Sequence, residues 1–514
     1  MSAVLACDLG GSSFRAALID IEGKTLAEHV VPGPTAIDRM GRSEIDAEDW
    51  WSVFREAADA LAEAVPEHFA TIEAIAICGV TRTQVFLGRD GRQLRPAITW
   101  KDTRAAAAAE RLRDKLGSHP EASRVNAFHP LARLAWLAEE EEATHRALAM
   151  VLEPKDWLNF RLTGRQAGDP VSTARLRACV EPTPYGDALS STGLPATIVP
   201  PALEPCEILG SVQSGLPGAL ERLAGVPVFC SSSDTWVAVV GLGAMRAGFG
   251  YNISGTTEVF GVVGEDAAEA DGLLTVDWRG LWQLGGPSQN GADVAAWLVE
   301  LLGGAERGYA GVGDGVTKLL GLRRHPQPLV FLPYLQGERV PYWNPDLRGA
   351  FLGLGRQHGG VDLAYALLEG VAFLNRVVLE RAETSLGTPV GEIRFGGGAA
   401  TNPIWAQIKA DVCNRTVSVG SAKEPGLLGA AIVAWTGLGR FPSLAAAQQA
   451  LVAVGQRYEP NLARRETYDA LFEIFRRAEG ALAPISVDLA GLSCSAGSLP
   501  GIHARHRLLK ERSS

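Results

Sequence analysis

Asp8 and Asp234 are carboxylates whose surroundings suit phosphate and hydroxyl chemistry. Asp8 opens the run Asp8-Leu9-Gly10-Gly11-Ser12-Ser13, set between the apolar segments Val4-Leu5-Ala6-Cys7 and Ala16-Ala17-Leu18-Ile19. That pattern predicts a strand, a tight turn of glycine and hydroxyl residues, and a second strand. Backbone N–H groups in such a turn approach phosphate oxygens closely, because glycine carries no Cβ and serine adds a donor. Asp8 would then hold a hydrated magnesium ion, a hard cation that takes one or two carboxylates plus phosphate oxygens. A hairpin with a solvated aspartate is the plainer alternative. Asp234 follows the strand-like Val226-Pro227-Val228-Phe229-Cys230 and three serines, so its carboxylate can project from a strand end. There it can orient a hydroxyl nucleophile and accept its proton during phosphoryl transfer. The alternative is that Ser233-Asp234-Thr235 caps a helix over Trp236 to Val240, which is compatible with the first role.

A second strand–turn–strand pattern runs from Gly250 to Phe260, with Gly255-Thr256-Thr257 at its turn, and opens the second half of the chain. Two such hairpins facing across a cleft can hold nucleotide phosphates between them. No G-x-x-x-x-G-K-[ST] element occurs, so a nucleotide is not held by a P-loop.

The elements that must position these residues alternate between strand and helix, an α/β pattern. Asp46 caps a predicted helix carrying Trp50, Phe54, Ala57, Ala58 and Leu61 on one face. Ile72 to Val80 reads as a buried strand, with another near Val85-Phe86-Leu87. Thr103 to Leu116 reads as a solvated helix, and the proline-rich region 181–206 as a long surface excursion. Asn402-Pro403 opens a helix with Trp405, Ile408 and Val412; Pro425 begins one of small residues, Gly426 to Ala431, suited to close packing. A domain boundary is expected between Gly241 and Gly248, giving domains 1–243 and 244–485, and 486–514 reads as a disordered tail.

A chain of 514 residues is long enough for two or more cores. Its net charge of −10 argues against a nucleic-acid or membrane surface. Seven cysteines without C-x-x-C spacing suit reduced thiols in a cytoplasmic protein better than disulfides or zinc. The N-terminus shows no signal-peptide pattern, and no uninterrupted apolar stretch reaches membrane-spanning length.

Further motifs complete an ordered set: Pro96-Ala97-Ile98-Thr99-Trp100-Lys101-Asp102-Thr103-Arg104, Pro154-Lys155-Asp156-Trp157-Leu158 with Leu162-Thr163-Gly164, Leu332 to Pro341, Gly349 to Leu354, and Gly396-Gly397-Gly398-Ala399. With the two hairpins, this set resembles the FGGY family of carbohydrate kinases, most closely its xylulokinase branch, from about residue 4 to about residue 457. The resemblance implies two ribonuclease H-like (actin-like ATPase) domains around a central cleft, with sugar mainly on the first and ATP on the second. It implies that Asp234 is the general base, that Mg2+ sits at Asp8, and that Gly10, Gly11, Ser12 and Arg15 form the first phosphate hairpin. Gly255, Thr256 and Thr257 match the second hairpin, with Thr256 donating to the β- or γ-phosphate. Gly397 and Gly398 match a turn against the α-phosphate and ribose; Asn402 lies where the family contacts adenine, although a helix cap explains it equally. Family members are often dimers, so a homodimer is expected.

Thr81, Arg82, Trp100, Asp102, Asp234 and Thr235 form the implied sugar-contact set. Thr81-Arg82 stands where xylulokinases usually carry Met-His, and Gln84-Val85 where glycerol kinases carry an Arg-Glu pair nearby. Histidine both donates to and accepts from hydroxyls; arginine only donates, in a fork that fits carboxylates. A pentulose such as xylulose is the leading acceptor, with a sugar acid such as gluconate or a polyol such as erythritol favoured if Arg82 touches substrate. The alternative is that Arg82 pairs with a protein carboxylate such as Asp102. Trp100 would be an aromatic wall and Asp102 a polar contact, or both simply core and turn residues. A catalytically silent sugar sensor and an actin-like ATPase acting on proteins are the competing classes; the first is opposed by Asp8 and Asp234, the second by the Trp100–Arg104 and Gly337–Pro341 segments.

Overall fold

Alternation along the strand Ala3–Leu9 divides its side chains between two cores. Ala3, Leu5, Cys7 and Leu9 join Phe54, Leu61 and Trp157. Val4 and Ala6 join Val237 and Trp435 on the opposite face. A strand covered on both faces has an unbroken apolar sequence, as this one does. In the computed structural model, which describes residues 2–34, 37–39, 41–304 and 311–492, this strand lies within a six-stranded sheet. Its order is Ile208–Ser211, Pro227–Phe229, Ile72–Gly79, Ala3–Leu9, Ser13–Asp20, Thr25–Pro32. The last three form an antiparallel meander, whereas Pro227–Phe229, Ile72–Gly79 and Ala3–Leu9 run parallel.

The second half repeats this plan. Phe249–Ser254 pairs antiparallel with Glu258–Gly264 and parallel with Glu392–Gly396, which is followed by parallel Thr416–Gly420 and antiparallel Val454–Tyr458. Trp282–Ser288 and Leu274–Asp277 extend the other edge, making seven strands. Two copies of one mixed sheet with helices are the α/β, ribonuclease H-like pair that the motifs imply.

In each lobe a helix follows the corresponding parallel strand: Asp234–Gly241 after Pro227–Phe229, and Pro425–Gly437 after Thr416–Gly420. These two helices join the lobes by packing on each other with no room for side chains. A Cβ at Gly241 would lie 1.9 Å from the Pro425 carbonyl oxygen, and one at Gly429 would lie 1.9 Å from that of Val237. Gly429→Ala must therefore push the helices apart. We expect it to cost about 3 kcal/mol, typical of overpacking a rigid contact, measurable by urea denaturation; wild-type stability would mean that the helices yield freely.

Three expectations need correction. The helix expected from Thr103 begins at Ala106, because Asp102 holds the Arg104 N–H and side chain in a turn, and its Ala108, Ala109 and Leu112 are buried. The region 181–206 is not only a surface excursion: Ala188, Leu189, Leu194 and Ile198 are buried in a cluster with Leu112, Leu134 and Leu137. The last helix, Arg465–Gly491, passes through Pro484, so 486–491 are helical; 493–514 lie outside the described residues. Among the described residues no helix is long and apolar enough to cross a membrane.

Candidate active site

The carboxyl ends of the central strands of both lobes converge on the start of the Pro425–Gly437 helix. Asp8 lies opposite Arg15 and beside Cys78 in its sheet. A Cβ at Gly426 would come within 2.5 Å of Asp8 Oδ2. Pro425 Cγ lies 3.3 Å from the Cβ position of Gly396, and the next glycine, Gly397, has φ +86° and a Cβ position 2.5 Å from the Ser254 carbonyl oxygen. Glycine is therefore required at 397 and 426 for the second lobe's turns to close on Asp8.

Asp8 Oδ1 is buried without a hydrogen-bond partner. Burial first, then the charge of Asp234, push the Asp8 carboxyl up to about 7, against the pull of Arg15. Arg15 is not a free surface residue: its Nε lies 3.6 Å from Oε1 of Glu424, the residue preceding the Pro425 helix, and so links the lobes.

Ser233, not Asp234, caps the Asp234–Gly241 helix, its Oγ accepting from the Trp236 N–H at 3.3 Å. Asp234 thus occupies the first helical position. Its Oδ1 accepts from the Thr235 N–H at 2.6 Å and from Thr235 Oγ1 at 3.3 Å. Burial raises its carboxyl above the ordinary range, and the Thr235 hydrogen bonds oppose the rise. The loop before it is held from behind. Ser231 adopts φ +57°, and the Cys230 carbonyl accepts from Asn159 Nδ2 at 3.1 Å and Lys155 Nζ at 3.3 Å. Ser232 Oγ donates to Asp169 Oδ1 at 2.7 Å, and Asp169 Oδ2 pairs with Lys155 at 2.9 Å. Lys155, Asp156, Asn159 and Asp169 have no exposed surface. The sequence reading gave this clamp no role. Its signal was the Pro154–Leu158 motif, but a local motif cannot say which distant loop a buried lysine will reach.

The turns are tied in ways that leave their tips open. Gly10 N–H donates to the Ser13 carbonyl at 3.0 Å and Gly33 N–H to that of Ser12 at 2.9 Å, with Gly11 and Ser12 exposed. Gly255 N–H donates to the Thr257 carbonyl at 2.9 Å; Gly255 and Thr256 are exposed and Thr257 is half-buried. The next residue, Glu258, is fully buried and bonded to Lys409 Nζ at 2.7 Å and Asn375 Nδ2 at 2.6 Å, an anchor that the sequence reading also missed. Gly398 faces open space. Asn402 caps the helix Pro403–Cys413, its Oδ1 accepting from the Ile404 and Trp405 N–H groups at 3.0 and 3.1 Å.

At the other end, Thr81 is half-buried and Arg82 exposed. Trp100 lies 3.8 Å, through its Nε1, from the Cβ position of Gly11, with the Arg339 guanidinium carbon 5.8 Å from its ring centre. A second-lobe residue therefore meets the first lobe's aromatic wall. Asp102 is fully buried, its oxygens taken by the Ser43 N–H at 2.6 Å and by Arg104 at 2.7 to 3.0 Å. It neither pairs with Arg82 nor keeps an oxygen for a sugar hydroxyl, which corrects both expectations for it. Glu153 accepts from the Thr83 N–H at 3.1 Å, and burial pushes its carboxyl from 4.5 up to about 8. The folded protein therefore holds this proton more tightly than the unfolded chain, and stability falls as pH rises through that window. Glu153→Gln keeps an acceptor for Thr83 and removes the titration. The melting temperature of the variant should fall less than that of the wild type between about pH 5 and pH 8; parallel curves would refute the assignment.

The chain was compared with known proteins. The model of the FGGY family of carbohydrate kinases, N-terminal domain, matches residues 3–241, and that of the C-terminal domain matches residues 250–438. The chain is 27% identical over 488 residues to the xylulose kinase of Bacillus subtilis (strain 168), covering 93% of this chain and 96% of that one. It superposes on the crystal structure of xylulose kinase from Rhodospirillum rubrum with a TM-score of 0.81 at 26% identity, covering 94% and 99% of the two chains. The structure of gluconate kinase from Lactobacillus acidophilus shares the fold, with a TM-score of 0.82 at 22% identity and coverage of 95% and 99%. With both halves matched and the two lobes' glycine turns closing on Asp8, this chain belongs to the FGGY family of carbohydrate kinases.

Proposed function

We propose that this kinase transfers the γ-phosphoryl group of magnesium–ATP to a hydroxyl of a small sugar, with Asp234 as general base. The juxtaposition of Asp8 and Asp234 beside the converging glycine turns carries this reading. The acceptor oxygen attacks the γ-phosphorus, its proton passes to the Asp234 carboxylate, and ADP leaves. Asp234 suits the task because burial raises its proton affinity while the Thr235 hydrogen bonds orient it. Asp8, with Oδ1 unpartnered, fits the single-carboxylate binding that a hydrated magnesium ion accepts. When bound, that ion neutralises charge on the phosphate oxygens. The exposed tips at Gly10, Gly11, Ser12 and Gly255, Thr256, Thr257 present N–H and hydroxyl donors for the phosphates. Arg15 adds positive charge nearby, and Gly397, Gly398 and Asn402 are left for the nucleoside end.

For the acceptor, the relatives named as xylulose kinases support a pentulose such as xylulose. An exposed arginine at 82, where xylulokinases usually carry histidine, supports a sugar acid as the second reading. ADP release from magnesium–ATP against ketoses, polyols and aldonic acids tests the function. One strongly preferred acceptor establishes the kinase and names its class; no stimulation by any of them rejects it.

A further inference from the structure

Arg82 has φ +58°, a conformation that a non-glycine residue holds only when its surroundings enforce it. Here they do. Its carbonyl accepts from Arg133 Nη1 at 2.7 Å, while the Thr83 N–H is held by Glu153 and Thr83 Oγ1 accepts from the Trp100 N–H at 3.2 Å. The side chain so placed makes no hydrogen bond or ion pair among the described residues, although it is ringed by protein.

Arg175, on the short helix Ala174–Ala178, is a second cation in the same position. It too has no hydrogen bond or ion pair from its guanidinium among the described residues, and its charge acts on Arg82. Its place is fixed from below: Cys179 Sγ donates to the Arg175 carbonyl at 3.1 Å, and Cys179, His129 and Glu121 offer atoms all within 4.8 Å of one another. That trio is not a metal site. His129 Nδ1 accepts from the Leu131 N–H, leaving Nε2 to pair with Glu121, and Arg124 takes the other Glu121 oxygen at 2.9 Å.

Every acid able to neutralise these arginines is engaged elsewhere. Glu121 serves His129 and Arg124, Asp102 serves Arg104 and Ser43, and Glu153 serves Thr83. Arg339 adds a third positive charge that Arg82 opposes, while its neighbour Glu338 accepts from Ser288, Gln289 and Asn290. The cluster lies just beyond the strand Ile72–Gly79, which runs between the strands leading to Asp8 and Asp234 and bridges to Ser233 through Gly79. Positive charge held in a confined site without counter-ions is costly unless a ligand supplies the negative charge.

We infer that Arg82 and Arg175 form a carboxylate subsite, so that the acceptor is an aldonic acid rather than a neutral ketose or polyol. This rests on the kinase reading and narrows its acceptor. The guanidinium fork suits a planar carboxylate, whereas it cannot accept from the hydroxyls of a neutral sugar.

The test compares kcat and KM for pentonates and hexonates with those for the matched ketoses, alditols and sugar phosphates. The wild type should prefer an aldonate. Arg175→Gln should raise its KM by roughly 10- to 100-fold, the loss expected for a charged hydrogen bond, with kcat little changed and the weak turnover of neutral sugars unaffected. Calorimetry of the wild-type protein with the same aldonates gives a readout that does not depend on a variant folding. Preference for a neutral sugar or a sugar phosphate, or no aldonate binding, overturns the inference while the kinase reading stands. Absence of ATP turnover with every acceptor overturns both.

Discussion

Asp234→Asn is expected to lower kcat by about 10³-fold with KM for ATP nearly unchanged. Asparagine keeps the size of the side chain and an oxygen that can accept from the Thr235 N–H, and the Ser233 cap is untouched. What it loses is the capacity to take the acceptor's proton. The wild-type carboxylate must be ionised to act, and burial raises its proton affinity. Activity should therefore fall on the acid side for the wild type, and the residual activity of the variant should lack that limb. A drop of less than about tenfold would mean that the proton leaves by another route.

Lys155→Met should be the most destabilising change at the site, costing about 3–5 kcal/mol. The lysine sits without exposed surface between Asp156 and Asp169, whose attraction for its charge outweighs the burial penalty. Removing it leaves two uncompensated carboxylates in the interior and takes a donor from the Cys230 carbonyl. Adding Asp156→Asn and Asp169→Asn should recover much of the stability, since the buried charges then disappear together. Urea denaturation of the single and triple variants checks this. A single variant within about 1 kcal/mol of wild type would show that the network does not brace the Asp234 loop.

The paired hairpins, the strand Ile72–Gly79, the Asp46 and Asn402 caps and the small-residue helix were legible because each is written in neighbouring residues: period-two burial, a cap before an apolar stripe, glycine at a turn. Asp234 was legible as a carboxylate at a strand end, but not that Ser233 would do the capping. Asp102 was misread because its spacing from Trp100 resembles a site motif, whereas its actual partners, Ser43 and Arg104, reach it only when the chain folds back. The helix to Gly491 was missed because Pro484 and a Ser- and Gly-rich sequence look like an ending. Yet Tyr468, Leu471, Phe472 and Phe475 pack its first half into the core and carry the rest.

By itself, then, the sequence determined the family, the duplicated α/β plan and the positions of both aspartates, since local patterning and short glycine turns specify these without distant partners. Only the tertiary structure decided which charges are compensated. Lys155, Glu258 and Asp102 are matched by partners far along the chain, whereas Arg82 and Arg175 are left unmatched beside the aspartates. Charge balance depends on distance and burial in space, and neither can be read from the order of residues.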